Sequence, residues 1–250
     1  MKKPIVIGNW KMYVEKPDAV KAFVMKLKRR PQLLSKTDVV VAPPYTLLPA
    51  LAQVLGTTKT IRTGAQTVSA FLEAKHTGEV SARMLKVFGI GFVIVGHSER
   101  RAAGEKDDMI REQIKRTHEA GMTAVLCIGE VERDPHGAHF GVIERQLLQA
   151  LKDKTTGKLI VAYEPVWAIG KTAGSAEKPA EIQEMVIFIR KTLADILGRE
   201  QGVKVPILYG GSVEGSNAKE LLTDGGVGGF LVGHASADID SFIEILTALA

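Results

Sequence analysis

Phe92-Val93-Ile94-Val95-Gly96-His97-Ser98-Glu99 and, further along, Thr123-Ala124-Val125-Leu126-Cys127-Ile128-Gly129-Glu130 follow one pattern: a short apolar run, a glycine, then polar and ionisable residues. The apolar runs are rich in β-branched side chains and short enough to be buried strands, and Asp108–Glu119 between them has the spacing of an amphipathic helix. A strand, a helix and a second strand in that order make a parallel βαβ unit. Working outward, the same reading gives strands at Ile5–Ile7, Val39–Val41, Thr60–Thr63, Leu159–Ala162, Val205–Leu208 and Gly229–Val232. Helices are expected at Ala19–Lys28, Thr46–Val54, Glu79–Val87, Val142–Lys152, Pro179–Leu197, Asn217–Leu222 and Ser241–Leu249. Eight βα units in 250 residues match the size and count of a closed (β/α)8 barrel, whereas an open doubly wound sheet usually stops at five to seven strands. No linker or composition shift divides the chain, so a single domain over residues 1–250 is expected.

Composition narrows the function. The chain is 45% hydrophobic and 24% charged, as expected of an ordered globular protein. Its 33 basic against 28 acidic residues leave +5, which favours anionic ligands without choosing among them. Apolar runs such as Val39–Ala42 and Gly91–Val95 are far too short to span a membrane. The opening Met1-Lys2-Lys3-Pro4-Ile5-Val6-Ile7-Gly8 lacks the apolar stretch of a signal peptide and reads as the first strand. A lone cysteine, Cys127, excludes an intrachain disulfide and fits a reducing compartment, with the cytoplasm as the default expectation.

In a barrel, the residues just past each strand collect on one rim, where such folds carry their sites. Here those residues are Gly8-Asn9-Trp10-Lys11, Ala42-Pro43-Pro44, Gly64-Ala65-Gln66, Gly96-His97-Ser98-Glu99, Gly129-Glu130, Tyr163-Glu164-Pro165, Tyr209-Gly210-Gly211-Ser212 and Gly233-His234. Each has a plainer reading when taken alone. Lys11 reads as a solvated charge, His97 as a structural imidazole, Glu164 as a buried partner of some cation, and Glu99 as a partner for Lys11. Their recurrence at equivalent positions of different units favours a shared site of one cation, one imidazole and several carboxylates. The glycines after strands seven and eight suit a close ligand approach.

Other signals fail. Gly170-Lys171-Thr172 resembles the end of a P-loop, but Pro165 stands where the first glycine is required. His136 and His139 have a metal-like spacing, yet sit in a hydrophilic turn without a third ligand. No basic stripe interleaved with aromatics supports nucleic-acid binding.

Five motifs in order, Gly8-Asn9-Trp10-Lys11-Met12, Gly96-His97-Ser98-Glu99-Arg100-Arg101, Cys127-Ile128-Gly129-Glu130, Ala162 to Gly170 and Tyr209-Gly210-Gly211-Ser212-Val213, resemble the triosephosphate isomerase family over nearly all of Ile5 to Leu249. The resemblance implies a single-domain (β/α)8 TIM barrel that interconverts dihydroxyacetone phosphate and D-glyceraldehyde 3-phosphate through an enediolate, with no metal and no cofactor. It assigns Glu164 as the base, His97 as a neutral electrophile, Lys11 as the fixed cation and Asn9 as a holder of substrate oxygens. Phosphate would lie on backbone N–H groups of Gly170, Ser212, Gly233 and His234. Glu99 and Cys127 are supporting residues, and Cys127 reads as packed rather than reactive. Tyr163 to Ala176 matches the family's mobile lid. The stretch from Gln66 through Thr77 to Glu79 resembles a loop that docks into a second subunit, which implies a homodimer with no nucleic-acid or membrane partner.

Several positions depart from the family pattern. Gly170 runs directly into Lys171-Thr172-Ala173-Gly174, and the stretch before Pro179 is longer than usual. His234 replaces a second glycine, Thr67 replaces an asparagine, and Arg100 to Glu105 lacks a common phenylalanine. Two alternatives stay open on these grounds: a barrel isomerase for a different phosphosugar, and a phosphate-ligand-binding or scaffold barrel without catalysis.

Overall fold

The computed structural model describes residues 3–72, 74–153, 157–168 and 177–250. Its eight strands are β1 (Ile5–Asn9), β2 (Asp38–Ala42), β3 (Ile61–Ala65), β4 (Phe92–Val95), β5 (Thr123–Ile128), β6 (Leu159–Tyr163), β7 (Ile207–Tyr209) and β8 (Gly229–Val232). Each pairs in parallel with its chain neighbour, and β8 closes on β1 through the register Ile5↔Gly229 to Gly8↔Val232. The barrel expected from the sequence is therefore present.

Side-chain alternation divides the buried residues into two layers. Ile7, Val40, Ile94, Val125, Cys127, Ala162, Leu208 and Leu231 point inward and fill the barrel. Their strand neighbours Val6, Val39, Val93, Leu126, Val161, Ile207 and Phe230 point outward into the larger core beneath the helices. Cys127 thus packs in the barrel interior, fully buried.

The helices are α1 (Pro17–Lys28), α2 (Pro31–Lys36), α3 (Leu48–Leu55), α4 (Ala82–Val87), α5 (Ser98–Ala102), α6 (Asp107–Glu119), α7 (Ala138–Ala150), α8 (Pro179–Leu197), α9 (Arg199–Gly202), α10 (Ala218–Thr223) and α11 (Ile239–Ala248). Caps explain where their ends differ from the periodicity. α1 begins at Pro17, whose fixed φ and missing N–H suit a first helical position. α4 starts at Ala82 rather than at Glu79 because Ser81, in extended backbone, accepts a hydrogen bond from the Met84 amide. Asp238 caps α11 in the same way through the Ser241 amide. α7 begins at Ala138, not Val142, after Gly137 adopts a left-handed conformation and Asp134 Oδ2 accepts the Ala138 amide. β7 begins at Ile207 instead of Val205, since Pro206 has no N–H for a ladder.

Candidate active site

The carboxyl ends of β1, β4, β6, β7 and β8 surround a cavity of about 660 Å³. Asn9, Lys11, His97, Glu99, Glu164, Ser212, Gly233 and His234 all line it. These are expected rim residues, brought together from five strands, whereas Glu130, expected to join them, lies outside the lining against the Tyr163 hydroxyl. Gly170, expected to contribute an amide, and the lid residues 169–176 lie outside the described residues.

The β1 end is a tight turn anchored from below. Trp10 is fully buried in the outer layer, edge-on to Phe23 at 4.8 Å, and its amide donates to the Ala42 carbonyl. The next residue, Lys11, has φ +45°, the one positive φ outside glycine among the described residues. That conformation costs about 1–2 kcal/mol for a residue with a Cβ. It is held by the Lys11 amide donating to Asn9 Oδ1 at 3.1 Å and by Gln66 Nε2 donating to the Lys11 carbonyl at 2.9 Å. Gln66, expected in a loop for a second subunit, therefore also braces the cavity cation within its own chain. The Lys11 ammonium pairs with Glu99.

His97 ends the β4 connection and caps α5, its Nδ1 accepting the Glu99 amide at 3.2 Å. An accepting Nδ1 carries no proton, so the imidazole proton sits on Nε2. Nε2 faces Glu164 Oε1 at 3.5 Å, too far for a strong hydrogen bond, so the donor remains available to a ligand oxygen. Glu164 is only 2% exposed. Its other oxygen, Oε2, accepts the Ser98 amide at 3.1 Å, and its own amide donates to the Ile128 carbonyl. Cys127 lies below it, and burial together with the Glu164 carboxylate pushes that thiol well above its ordinary value. Cys127 therefore stays protonated and packs.

The glycines after β7 line the cavity and are also required by the packing around them. A Cβ on Gly210 would stand 2.7 Å from Glu164 Cγ, and one on Gly211 would stand 2.3 Å from the Tyr209 hydroxyl. Both make room for the protein's own side chains. Ser212 donates its hydroxyl to the Ala168 carbonyl at 3.2 Å. His234 opens a short 3-10 turn with an ordinary negative φ, and its ring meets Tyr13 edge-on at 4.9 Å.

Sequence reading did not single out Tyr13 or Glu214, which also line the cavity, nor the Ser98 amide that holds Glu164. It also passed over Arg101, whose Nε donates to the Gly96 carbonyl at 2.8 Å and whose guanidinium pairs with Asp107. The shortened Arg100–Glu105 stretch closes on itself through two hydrogen bonds from Arg100 to Glu105. Thr67 accepts the Tyr45 hydroxyl on its carbonyl at 2.7 Å. Thr77 and Glu79 are exposed, and Glu79 shares a smaller surface hollow of about 310 Å³ with Phe71, Leu72 and Met84. His139 turns its Nδ1 to the Asp134 carbonyl at 3.1 Å. No described helix is long and apolar enough to cross a membrane.

A family model described as Triosephosphate isomerase matches residues 4–249. The chain is 41% identical to the triosephosphate isomerases of Carboxydothermus hydrogenoformans and Thermus thermophilus, with 98% of each chain covered. It is 42% identical to that of Rhodopseudomonas palustris over 97% of this chain and 96% of the relative.

Proposed function

Because this chain belongs to the triosephosphate isomerase family, whose members are isomerases, we propose that its cavity interconverts dihydroxyacetone phosphate and D-glyceraldehyde 3-phosphate with Glu164 as the base. Moving a proton between adjacent carbons needs one base that reaches both and fixed donors where oxygen becomes negative. The observation that carries the proposal is the placement of the Glu164 carboxylate opposite the protonated Nε2 of His97, with Lys11 in the same cavity.

In the proposed reaction Glu164 removes a proton from the carbon beside the carbonyl, and the electron pair moves onto the carbonyl oxygen to give an enediolate. The His97 Nε2–H donates to that oxygen, and the Lys11 ammonium offsets its charge. Glu164 then returns the proton to the former carbonyl carbon while the hydroxyl proton on the first carbon passes to the former carbonyl oxygen, so the carbonyl moves by one carbon and the enzyme is left unchanged. Asn9 orients substrate oxygens while its side chain braces Lys11. The phosphate is assigned to backbone amides of Gly170, Ser212, Gly233 and His234.

The test is steady-state conversion of glyceraldehyde 3-phosphate by the purified protein, with a six-carbon phosphosugar in parallel. Turnover of the triose alone is expected. Turnover of the larger sugar alone identifies a different isomerase, and phosphate binding without turnover identifies a binding barrel.

The ring of His234 adds a polar group at the phosphate end of the cavity. His234→Gly is expected to raise KM about two- to fivefold, the scale of an exposed charge contact. An unchanged or lower KM leaves the imidazole no favourable role.

The stretch Gln66–Glu79 is assigned to a homodimer interface. Phe71, Leu72 and Met84 are exposed around the hollow that Glu79 shares, an apolar grouping that a second copy would cover. Sedimentation is expected to give twice the chain mass, 27.0 kDa. A monomer at micromolar concentration overturns that assignment.

A further inference from the structure

Adjacent residues on an extended chain face opposite ways. Glu164 lines the cavity, whereas Tyr163 is buried in the outer layer. Around the Tyr163 hydroxyl lies a second set of ionisable groups that the isomerisation does not use. Glu130 Oε1 is 2.9 Å from that hydroxyl and 2.9 Å from Trp167 Nε1, so it accepts from both. Glu177 Oε1 is 3.3 Å from the same hydroxyl and is paired with Arg133, which also reaches Glu184 at 3.1 Å.

Two features of this cluster need explanation. Glu130 and Glu177 are 1% and 3% exposed, yet among the described residues a single guanidinium faces them and each has an Oε2 atom buried without a partner. Burying two carboxylates beside one guanidinium favours a proton on one of them. The hydroxyl has one hydrogen, and the shorter contact gives it to Glu130. Glu177 Oε1 takes the longer, weaker share of that hydrogen and accepts from Arg133 on the same atom.

We propose that Glu177 is a positioning residue for Glu164: bridging Tyr163 and Arg133, it clamps the strand end from which the base projects and so fixes where that carboxylate points. The proposal rests on the reading of Glu164 as the base. Burial, reinforced by Glu130 and Glu181 and opposed by Arg133 and Tyr163, pushes Glu177 up to about 8. Tyr209 faces the same cluster, and burial and Glu177 push its hydroxyl upward in turn. Above that pH Glu177 is charged beside Glu130, the two buried carboxylates repel each other across the Tyr163 hydroxyl, and the clamp slackens. The folded chain keeps this proton up to about pH 8, while an unfolded carboxyl releases it near 4.5, so stability falls as pH rises through that window.

Wild type, Glu177→Gln and Glu177→Ala are compared from pH 6 to 10 for triose phosphate turnover and for tryptophan emission, which reports on Trp167 beside Glu130. The glutamine variant keeps the shape and donor of the protonated acid. It is expected to retain kcat within about twofold at pH 7 and to lose both the alkaline fall in kcat and the emission change centred near pH 8 that wild type shows. The alanine variant is expected to lower kcat about tenfold with KM within about twofold, since a displaced carboxylate loses alignment rather than binding. Wild-type kcat in the alanine variant, or a wild-type emission titration in the glutamine variant, overturns the proposal. A wild-type protein that does not turn over removes the base assignment instead, and the emission titration still decides whether Glu177 carries the proton of the clamp.

Discussion

Shortening Glu164 to aspartate is expected to lower kcat about 10²-fold with KM little changed, because withdrawing a base by about 1 Å costs alignment in the transition state rather than binding of the substrate. The structure makes the direction of that withdrawal specific. Glu164 Oε2 is held by the Ser98 amide at 3.1 Å, and Oε1 faces His97 Nε2 at 3.5 Å. An aspartate on the same backbone cannot keep the first contact and still reach a carbon in front of the second group. Glu164→Gln keeps the length and removes the basicity, so its loss is expected to be larger, up to about 10⁴-fold, the upper range for a general base. The glutamine variant also guards against a contaminating host isomerase, whose activity it would leave untouched. Steady-state kinetics on both variants check this, and a wild-type kcat in either removes Glu164 as the base.

How much of this site was legible beforehand depends on how local each signal is. The eight strands were legible because inward and outward faces are both buried, which turns each strand into a continuous apolar run bounded by polar rim residues. The rim order then placed Lys11, His97 and Glu164 in one cavity without any contact being known. Helices α5 and α9 were missed because five and four residues are too few to display a 3.6-residue period, and α2 was missed although α4 and α10 are no longer than it. The two glycines after β7 were visible as places of close approach, but the close approach of the protein itself was not. Only the positions of Glu164 and Tyr209 show that the space they leave is filled by protein. The pairing of Arg133 with Glu177 joins residues 44 apart, from two different βα connections, and nothing in either local sequence marks it. Gln66 was read correctly as a rim residue, yet its two hydrogen bonds to the Lys11 and Ala42 carbonyls depend on the closure of β1, β2 and β3 side by side.

Gly210 links that packing to the chemistry, and Gly210→Ala is expected to cost about 10²-fold in kcat although the residue itself donates no side chain. Its added Cβ would stand 2.7 Å from Glu164 Cγ and 3.4 Å from the Tyr163 carbonyl oxygen. Real Cβ atoms do not sit so close to carbon, so one partner has to yield. The Tyr163 carbonyl is tied into the β6–β7 connection by accepting the Gly210 amide at 2.8 Å, and Glu164 has little free space around it. The Glu164 side chain therefore moves, carrying the carboxylate off the Ser98 amide and out of line with His97. Overpacking of this kind also lowers stability by about 1–3 kcal/mol, which alone would not touch kcat measured well below the melting temperature. Gly215→Ala separates the two effects. There the added Cβ approaches Glu244 Cβ to 2.8 Å, outside the cavity lining, so an equal steric insult falls away from the base. Both variants are expected to melt earlier than wild type, and only Gly210→Ala is expected to lose turnover. If both lose turnover alike, the damage is general destabilisation, and the close approach of Gly210 to Glu164 has no part in placing the base.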